Sequence, residues 1–542
     1  MKVWFGIVFM VLVLFEVLFF ENIFSRISYL WNIKSVSVSL YYIFVSFIGF
    51  LSITLFFFIK EKIYFTFFTL FLLLTYSLDL VYKNINNIGF SLSDLTIALA
   101  EVDAFAMDAL VTYAEAIKVS VIVIVLLTII IFVVRSFVHK NTFYIATKWI
   151  FLTFILALLL SFSIVYKTTG TTQTRPTSIK MINTFVYYFV NKLYYGKREI
   201  LEEKPTASAK YKNIILIVDE SIGGKYLSIN GYKQETTPYL ESIKNRYLNL
   251  GLASSGGNCS RKSNLILMSG IQLNEFPDKE NNSLKKPSIF QYAQNAGYKT
   301  HYISGQKKAG ILQNYITKYD LEYMDEFFQP KDGYHNKSMP EEDIILRTKE
   351  ALNNSDKNFI FMVKHGAHFQ WEKSYPEDEK YFLPTLNASD SLSLDKKERA
   401  INSYLNAVRY NVDLFFKKFF EEIDFFNKEE TLIIYTSDHG QSILENGRIS
   451  THCDSRNPPL SQGIVPLLLF TNKGDTLVSK FDFQKDVYTH YQLFPTIQKL
   501  MGYENILAKT LFDKRENNDK QIFVSGDIFG RGPMQRSDIN RQ

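Results

Sequence analysis

The sequence predicts a five-helix transmembrane domain followed by an α/β domain with a mostly parallel central sheet. Three observations lead there. The first third gathers Phe, Leu, Ile and Val into five nearly uncharged runs, each close to the roughly 20 residues a membrane-crossing helix needs. From Asn213 onward, short continuous apolar runs alternate with helical patterns, as buried parallel strands and their crossover helices do. Seven of the eight histidines fall after residue 300, so the chemistry is expected in the polar part.

The five runs are Val3–Phe20, Leu40–Ile59, Tyr64–Val81, Val119–Val134 and Trp149–Val165, with Glu16 and Asp79 as the charged interruptions. No small-x-small cleavage site follows the first, which therefore reads as a retained anchor. Lys2, Lys60, Lys62, Arg135, Lys140 and Lys148 would share one side of the membrane. Arg26, Lys34, Lys83 and Lys118 would share the other. The richer first set predicts a cytoplasmic amino terminus, and five crossings then place everything after Lys167 outside. Between the third and fourth runs, "SLSDLTIALAEVDAFAMDALVTYAEAI" has apolar residues at helical spacing and reads as an interfacial or a connecting helix.

Residues 1–167 form the expected membrane domain, 168–210 a linker and 211–542 the catalytic domain. The linker opens on "TTGTTQT", carries an amphipathic "MINTFVYYFVNKLYY" and closes on "EEKPTASAK". A net charge of +6, with no long basic block, points away from nucleic acid. Two cysteines, Cys259 and Cys453, exclude a disulfide framework and allow one bridge at most.

Candidate strands are "NIILIV", "KTHYIS", "NFIFMV", "TLIIYT" and "VPLLLF". In such sheets, functional groups gather at the carboxyl ends of strands. The first strand ends in Asp219-Glu220-Ser221, the third in Lys364-His365-Gly366-Ala367-His368, and the fourth in Ser437-Asp438-His439-Gly440. Carboxylate with imidazole suits zinc, with manganese as the alternative. Asp438 and His439 are adjacent, so they reach one ion only from a turn just past the strand. Alone, Asp219 or Glu220 reads more readily as a helix cap, and Asp-His-Gly occurs by chance. Their coincidence at three strand ends raises the metal reading. It makes Asp438 and His439 candidate ligands to which Glu220 could add a third, with His368 and His452 as candidates for a second metal or for holding a phosphoryl group.

These residues carry a resemblance. "NIILIVDESIGGKYLSINGYKQETTPYLESI", "HGAHFQWEKSYP", "TSDHG" and "THCDSRNPPLSQGIVPLLLF" occur in this order and resemble segments of the phosphoethanolamine transferases of the alkaline phosphatase/sulfatase superfamily. The resemblance implies an alkaline phosphatase/sulfatase-like fold, a bacterial inner-membrane anchor, a periplasmic catalytic domain and a monomer. It implies transfer of phosphoethanolamine from phosphatidylethanolamine to lipid A or another envelope glycan, through a covalent phospho-enzyme. "SGQKKAG" resembles a segment with a phosphate-binding lysine, Lys307 or Lys308. "AEVDAFAMDAL" places Glu101 on a glutamate that holds the ethanolamine head, although Ala98 to Ala100 lack the asparagine usual there.

The nucleophile departs from that pattern. The family's threonine in "SxxCGTxT" has no counterpart in "SSGGNCSRKSN". The formylglycine signature Cys-x-Pro-x-Arg fails at Arg261 and Ser263. A phosphotransferase favours a hard oxygen, and the "GKTSDSE" of lipoteichoic acid synthases aligns its threonine with Ser260. Ser260 is the expected nucleophile and fourth metal ligand, with Cys259 as the alternative. The other readings are a phosphoglycerol transferase, a sulfatase-like hydrolase and a lipid-binding pseudoenzyme.

Overall fold

The computed structural model describes residues 2–20, 23–33, 36–140, 144–167, 175–306, 310–331, 340–427, 430–472, 481, 483–514 and 519–540. The chain divides into two compact units, Met1–Lys192 with Gly530–Pro533, and Leu193–Phe529 with Met534–Gln542.

The first unit is helical: α1 (Lys2–Phe19), α2 (Ile23–Ile33), α3 (Val36–Phe56), α4 (Lys62–Asn86), α5 (Leu92–Thr112), α6 (Ala114–Lys140), α7 (Thr147–Lys167) and α8 (Thr177–Val190). Among the described residues, four of these (α3, α4, α6 and α7) are long and apolar enough to cross a membrane. The run expected to cross first forms α1, whose apolar stretch Trp4–Phe19 is shorter. The acids noticed inside the apolar runs are buried and paired. Glu16 accepts from the Tyr76 hydroxyl at 2.5 Å and the Thr177 N–H at 2.6 Å. Asp79 accepts from Lys180 Nζ at 2.6 Å and the Phe90 N–H at 2.7 Å. Such pairing is what allows a charge to persist among apolar helices. The segment read as an amphipathic linker helix is α8, which buries Ile179, Met181 and Tyr187 and exposes Val186, Phe189 and Val190. The Ser91–Asp94 capping box starts α5.

Among the described residues, the second unit is built on a seven-stranded sheet. In chain order its strands are β1 (Asn213–Asp219), β2 (Tyr247–Ser254), β3 (Lys299–Ser304), β4 (Glu326–Phe328), β5 (Asn358–Val363), β6 (Thr431–Ser437) and β7 (Ile464–Thr471). Their spatial order is β2-β7-β6-β1-β5-β3-β4. The β6-β1-β5-β3-β4 block is parallel, and β7 runs antiparallel to both of its neighbours. All five expected strands are present, and β2 is an edge strand beside β7. A hairpin of β8 (Ile522–Gly526) and β9 (Met534–Asp538) completes the unit.

Continuous apolar strands arise because both sheet faces are covered. Along β1, Ile215 and Ile217 enter one core, while Ile214, Leu216 and Val218 enter the other. Register then levels the strand ends: Asp219 pairs with Ser437, and Val218 and Ser304 each pair with Val363. Four adjacent strands therefore deliver their next residues to one edge.

Candidate active site

Glu220 follows β1, and Asp438 and His439 follow β6. Three ligand atoms from this trio lie within 4.8 Å of one another. His439 Nε2 is 3.2 Å from Glu220 Oε1 and 3.7 Å from Asp438 Oδ2. All three residues are buried.

Local backbone explains why the adjacent acid and imidazole converge. Ser221 takes a left-handed φ of 60°, a conformation that costs an L-residue energy unless its surroundings hold it. It turns the chain so that its N–H meets Asp438 Oδ1 at 3.0 Å, while the Ile222 N–H meets Ser437 Oγ at 2.8 Å. The His439 N–H also donates to Asp438 Oδ1, at 2.7 Å. Gly440 passes so close to the Ser461 carbonyl that a Cβ would sit 2.1 Å from its oxygen.

These contacts leave the outer atoms aimed inward. Among the described residues, Asp438 Oδ2 is buried without a hydrogen-bond partner. His439 Nδ1 lies 2.8 Å from the Gly440 carbonyl, which only accepts, so Nδ1 carries a proton and Nε2 is the ring atom that faces the acids. Burial raises Asp438 well above the ordinary carboxylate range, helped by the charge on Glu220. Glu220 is penalised by the same burial, but the His439 ring outweighs it and holds the carboxyl well below that range. For His439 the burial penalty is overcome by Asp438 and Glu220, and the ring is pushed up to about 9. Two buried carboxylates and an imidazole that turns Nε2 toward them form a donor set that fits a divalent cation.

Ser260 opens the helix Ser260–Ser269 after the Gly-rich turn. Its Oγ donates to Glu220 Oε2 at 3.0 Å and lies 3.4 Å from His439 Nε2. Cys259 is different. Its sulfur is bonded to Cys453, 194 residues away. A disulfide sulfur has no thiolate to offer, which corrects the alternative that gave Cys259 the attacking atom. The C-terminal hairpin helps to hold this turn, because the Asn258 N–H donates to the Val524 carbonyl at 3.2 Å.

The two further histidines gather beside the trio. The His452 ring stacks on His439 with centroids 4.5 Å apart, and His368 lies 6.2 Å from His452. Burial, with His439 and His368 nearby, lowers His452 well below the usual imidazole range. Ser260, His368 and His452 are all partly exposed, so the trio is approached from their side. Asp219, the alternative acid on β1, accepts from Lys364 Nζ at 2.8 Å beneath the site. Gln306, just past β3, was not singled out from sequence, yet its Nε2 donates to Glu220 Oε2 at 2.9 Å. Its only signal was its place after a strand end. Lys307 and Lys308 lie outside the described residues, and the side chain of Glu101 on α5 does too.

The sulfatase family's sequence profile matches residues 212–503, more than half of the chain. The chain belongs to the sulfatase family. Within it, the phosphoethanolamine transferase EptC of Escherichia coli K12 is 24% identical over 287 residues, covering 52% of this chain and 49% of that protein. Phosphoethanolamine transferase EptA of the same strain is 27% identical over 315 residues, 54% of each chain. This sulfatase-family chain thus spans about half the length of the curated relatives it matches. Among solved structures, the integral membrane lipooligosaccharide phosphoethanolamine transferase A of Neisseria meningitidis matches with a TM-score of 0.62 at 18% identity. The match covers 94% of this chain and 99% of that one. The periplasmic domain of E. coli EptC in complex with zinc matches at 0.53 and 18%, covering 64% of this chain and 97% of that one. At such identities the likeness establishes the fold, including its α/β domain with a mostly parallel sheet.

Proposed function

We propose that this chain transfers phosphoethanolamine from phosphatidylethanolamine to an envelope acceptor such as lipid A. The observation that carries the reading is the Ser260 hydroxyl, 3.0 Å from Glu220 and 3.4 Å from His439, beside a cysteine whose sulfur is already bonded. Relatives named phosphoethanolamine transferases support the group transferred, and one is a Kdo(2)-lipid A 7''-transferase of E. coli. The expected setting is the inner membrane. Five crossings, with α1 as the first, would leave a periplasmic catalytic domain over residues 211–542, and the working state is a monomer.

Glu220, Asp438 and His439 would hold zinc, with manganese as the alternative and Ser260 as the fourth ligand. The zinc in the related EptC domain supports that choice. Such an ion favours the ionised form of a neighbouring hydroxyl and offsets charge on phosphoryl oxygens. Ser260 Oγ gives up its proton to solvent and bonds to the phosphorus, the bond from phosphorus to the diacylglycerol oxygen breaks, and that oxygen leaves with a proton from solvent. An acceptor oxygen then attacks the phosphoserine, and Ser260 Oγ departs and regains its proton. His368 and His452 face the phosphoryl group, Lys307 or Lys308 binds phosphate, and Glu101 holds the ethanolamine head. Phosphoglycerol transfer is the nearest rival, since it needs the same metal site. A pseudoenzyme is opposed by the complete ligand set.

Mass spectrometry of envelope lipids and glycans, with and without the gene, tests the reading. The expected result is a phosphoethanolamine mass increment that disappears in Ser260→Ala, with the rate falling about a thousandfold or more. No such increment in cells carrying the wild-type gene removes the proposal.

A further inference from the structure

Beneath the ligand trio runs a buried polar chain that the transfer steps do not use. Lys364, the first residue after β5, turns its ammonium into the interior and is fully enclosed. Nζ donates to Asp219 Oδ2 at 2.8 Å and to the Asn411 carbonyl, and it sits 3.8 Å from the centroid of the Phe415 ring. Asp219 Oδ2 also takes the Tyr435 hydroxyl at 3.0 Å, while its Oδ1 takes the Glu220 N–H at 3.0 Å.

The Asn411 carbonyl is available for a specific reason. Residues Arg409–Leu414 wind as a π-turn between the helices Lys397–Val408 and Phe415–Glu422. The Phe415 N–H reaches back to the Tyr410 carbonyl rather than to that of Asn411. The widened turn frees one acceptor, and Lys364 takes it. From there the chain continues to the other wall of the site. Asn411 Nδ2 donates to the Ser374 carbonyl at 2.8 Å, and Ser374 Oγ donates to the His368 carbonyl at 3.1 Å.

On the near side, the Gln306 amide spans the Lys364 carbonyl and Glu220 Oε2, at 2.9 Å each. Gly366 closes the layer at a φ of 56°, and a Cβ there would lie 2.4 Å from Asp219 Oδ1 and 2.5 Å from the Glu220 carbonyl oxygen. The pair is therefore wedged directly under the ligand backbone. A buried ion pair is weak evidence for stability, because apolar residues of equal volume serve as well or better. Its value here lies in geometry.

We propose that Lys364 and Asn411 are positioning residues. Lys364, through Asp219, holds the Glu220 backbone. Asn411, through Ser374, holds the His368 segment to the same ammonium, so ligand and imidazole keep one relative placement. The inference rests on the reading of Glu220 as a metal ligand.

The test uses the detergent-solubilised full-length protein. The paired variant Asp219→Asn/Lys364→Met removes both charges at nearly constant volume, and zinc affinity is measured by chelator competition. The expected result is binding weakened by about 10–100-fold in a protein that still melts cooperatively. Asn411→Ala should keep wild-type zinc affinity and lower kcat about tenfold with KM unchanged. A folded paired variant with wild-type zinc affinity overturns the role of Lys364. Wild-type kcat in Asn411→Ala overturns the role of Asn411, and it does so even if the paired variant fails to fold. A wild-type protein that binds zinc but transfers no phosphoethanolamine refutes the proposed activity and leaves the affinity test standing. A wild-type protein that binds no zinc removes the metal reading and this proposal together.

Discussion

At the scale of single residues, the deciding fact is that neighbours in sequence have opposite fates. Cys259 caps the helix and is tied to Cys453, while Ser260 begins the helix and faces the acids. Composition alone established that one bridge was the most this chain could have, and chemistry favoured oxygen over sulfur. Whether the bridge forms depends on two segments 194 residues apart meeting with their Cα atoms 4.8 Å from each other, which no local signal reports. The two residues are expected to separate cleanly on substitution. Cys259→Ala/Cys453→Ala should cost about 2–5 kcal/mol of stability, seen as a lower melting temperature, while transfer persists. Ser260→Ala should abolish transfer without that loss. Full transfer in Ser260→Ala with loss in the cysteine pair would reverse the assignment.

At the scale of elements, the strands that meet the site were legible because burial on both faces makes them continuously apolar. What sequence could not supply was β4, three residues long, and the direction of β7, since apolar runs carry no orientation. The apolar residues of 399–423 recur at helical spacing throughout, although the segment holds two helices joined by a π-turn. The π-turn inside it breaks no periodicity strongly enough to be seen, yet it frees the Asn411 carbonyl. Another element-level effect lies on the segment after β5. Glu372 keeps one edge in solvent, but its Oε2 is buried with no hydrogen-bond partner among the described residues, and burial pushes its pKa up to about 7. An acid raised in this way binds its proton more tightly when folded. The stability this carboxyl contributes is therefore fully present below pH 4.5 and is lost as pH rises through about 7. Discounting the full shift for residual solvent access leaves about 2 kcal/mol. Glu372→Gln should flatten that part of the stability profile in chemical denaturation from pH 4.5 to 7; an unchanged slope would show that Glu372 does not cause it.

At the scale of the whole molecule, the ligand trio links metal binding to folding, because only the folded chain gathers Glu220, Asp438 and His439. Zinc at a hundredfold excess over its Kd should add about 2.7 kcal/mol, raising the melting temperature by roughly 5 °C, and a chelator should reverse the shift. Glu220→Gln/Asp438→Asn should melt at one temperature with or without zinc. From residues alone, this sequence determined a helical apolar first part, an α/β second part and the strand ends that carry acids and histidines. Those features are local: they follow from hydrophobic periodicity and from the rule that strands of one parallel sheet end at one edge. Tertiary structure decided the rest. It joined Cys259 to Cys453, sent Asp219 downward to Lys364 and Glu220 toward His439, and placed Gln306 against the ligand. Each of these depends on strand register and on turns such as that at Ser221. A single left-handed residue there redirects two successive N–H groups, and the spacing of letters along the chain holds no record of it.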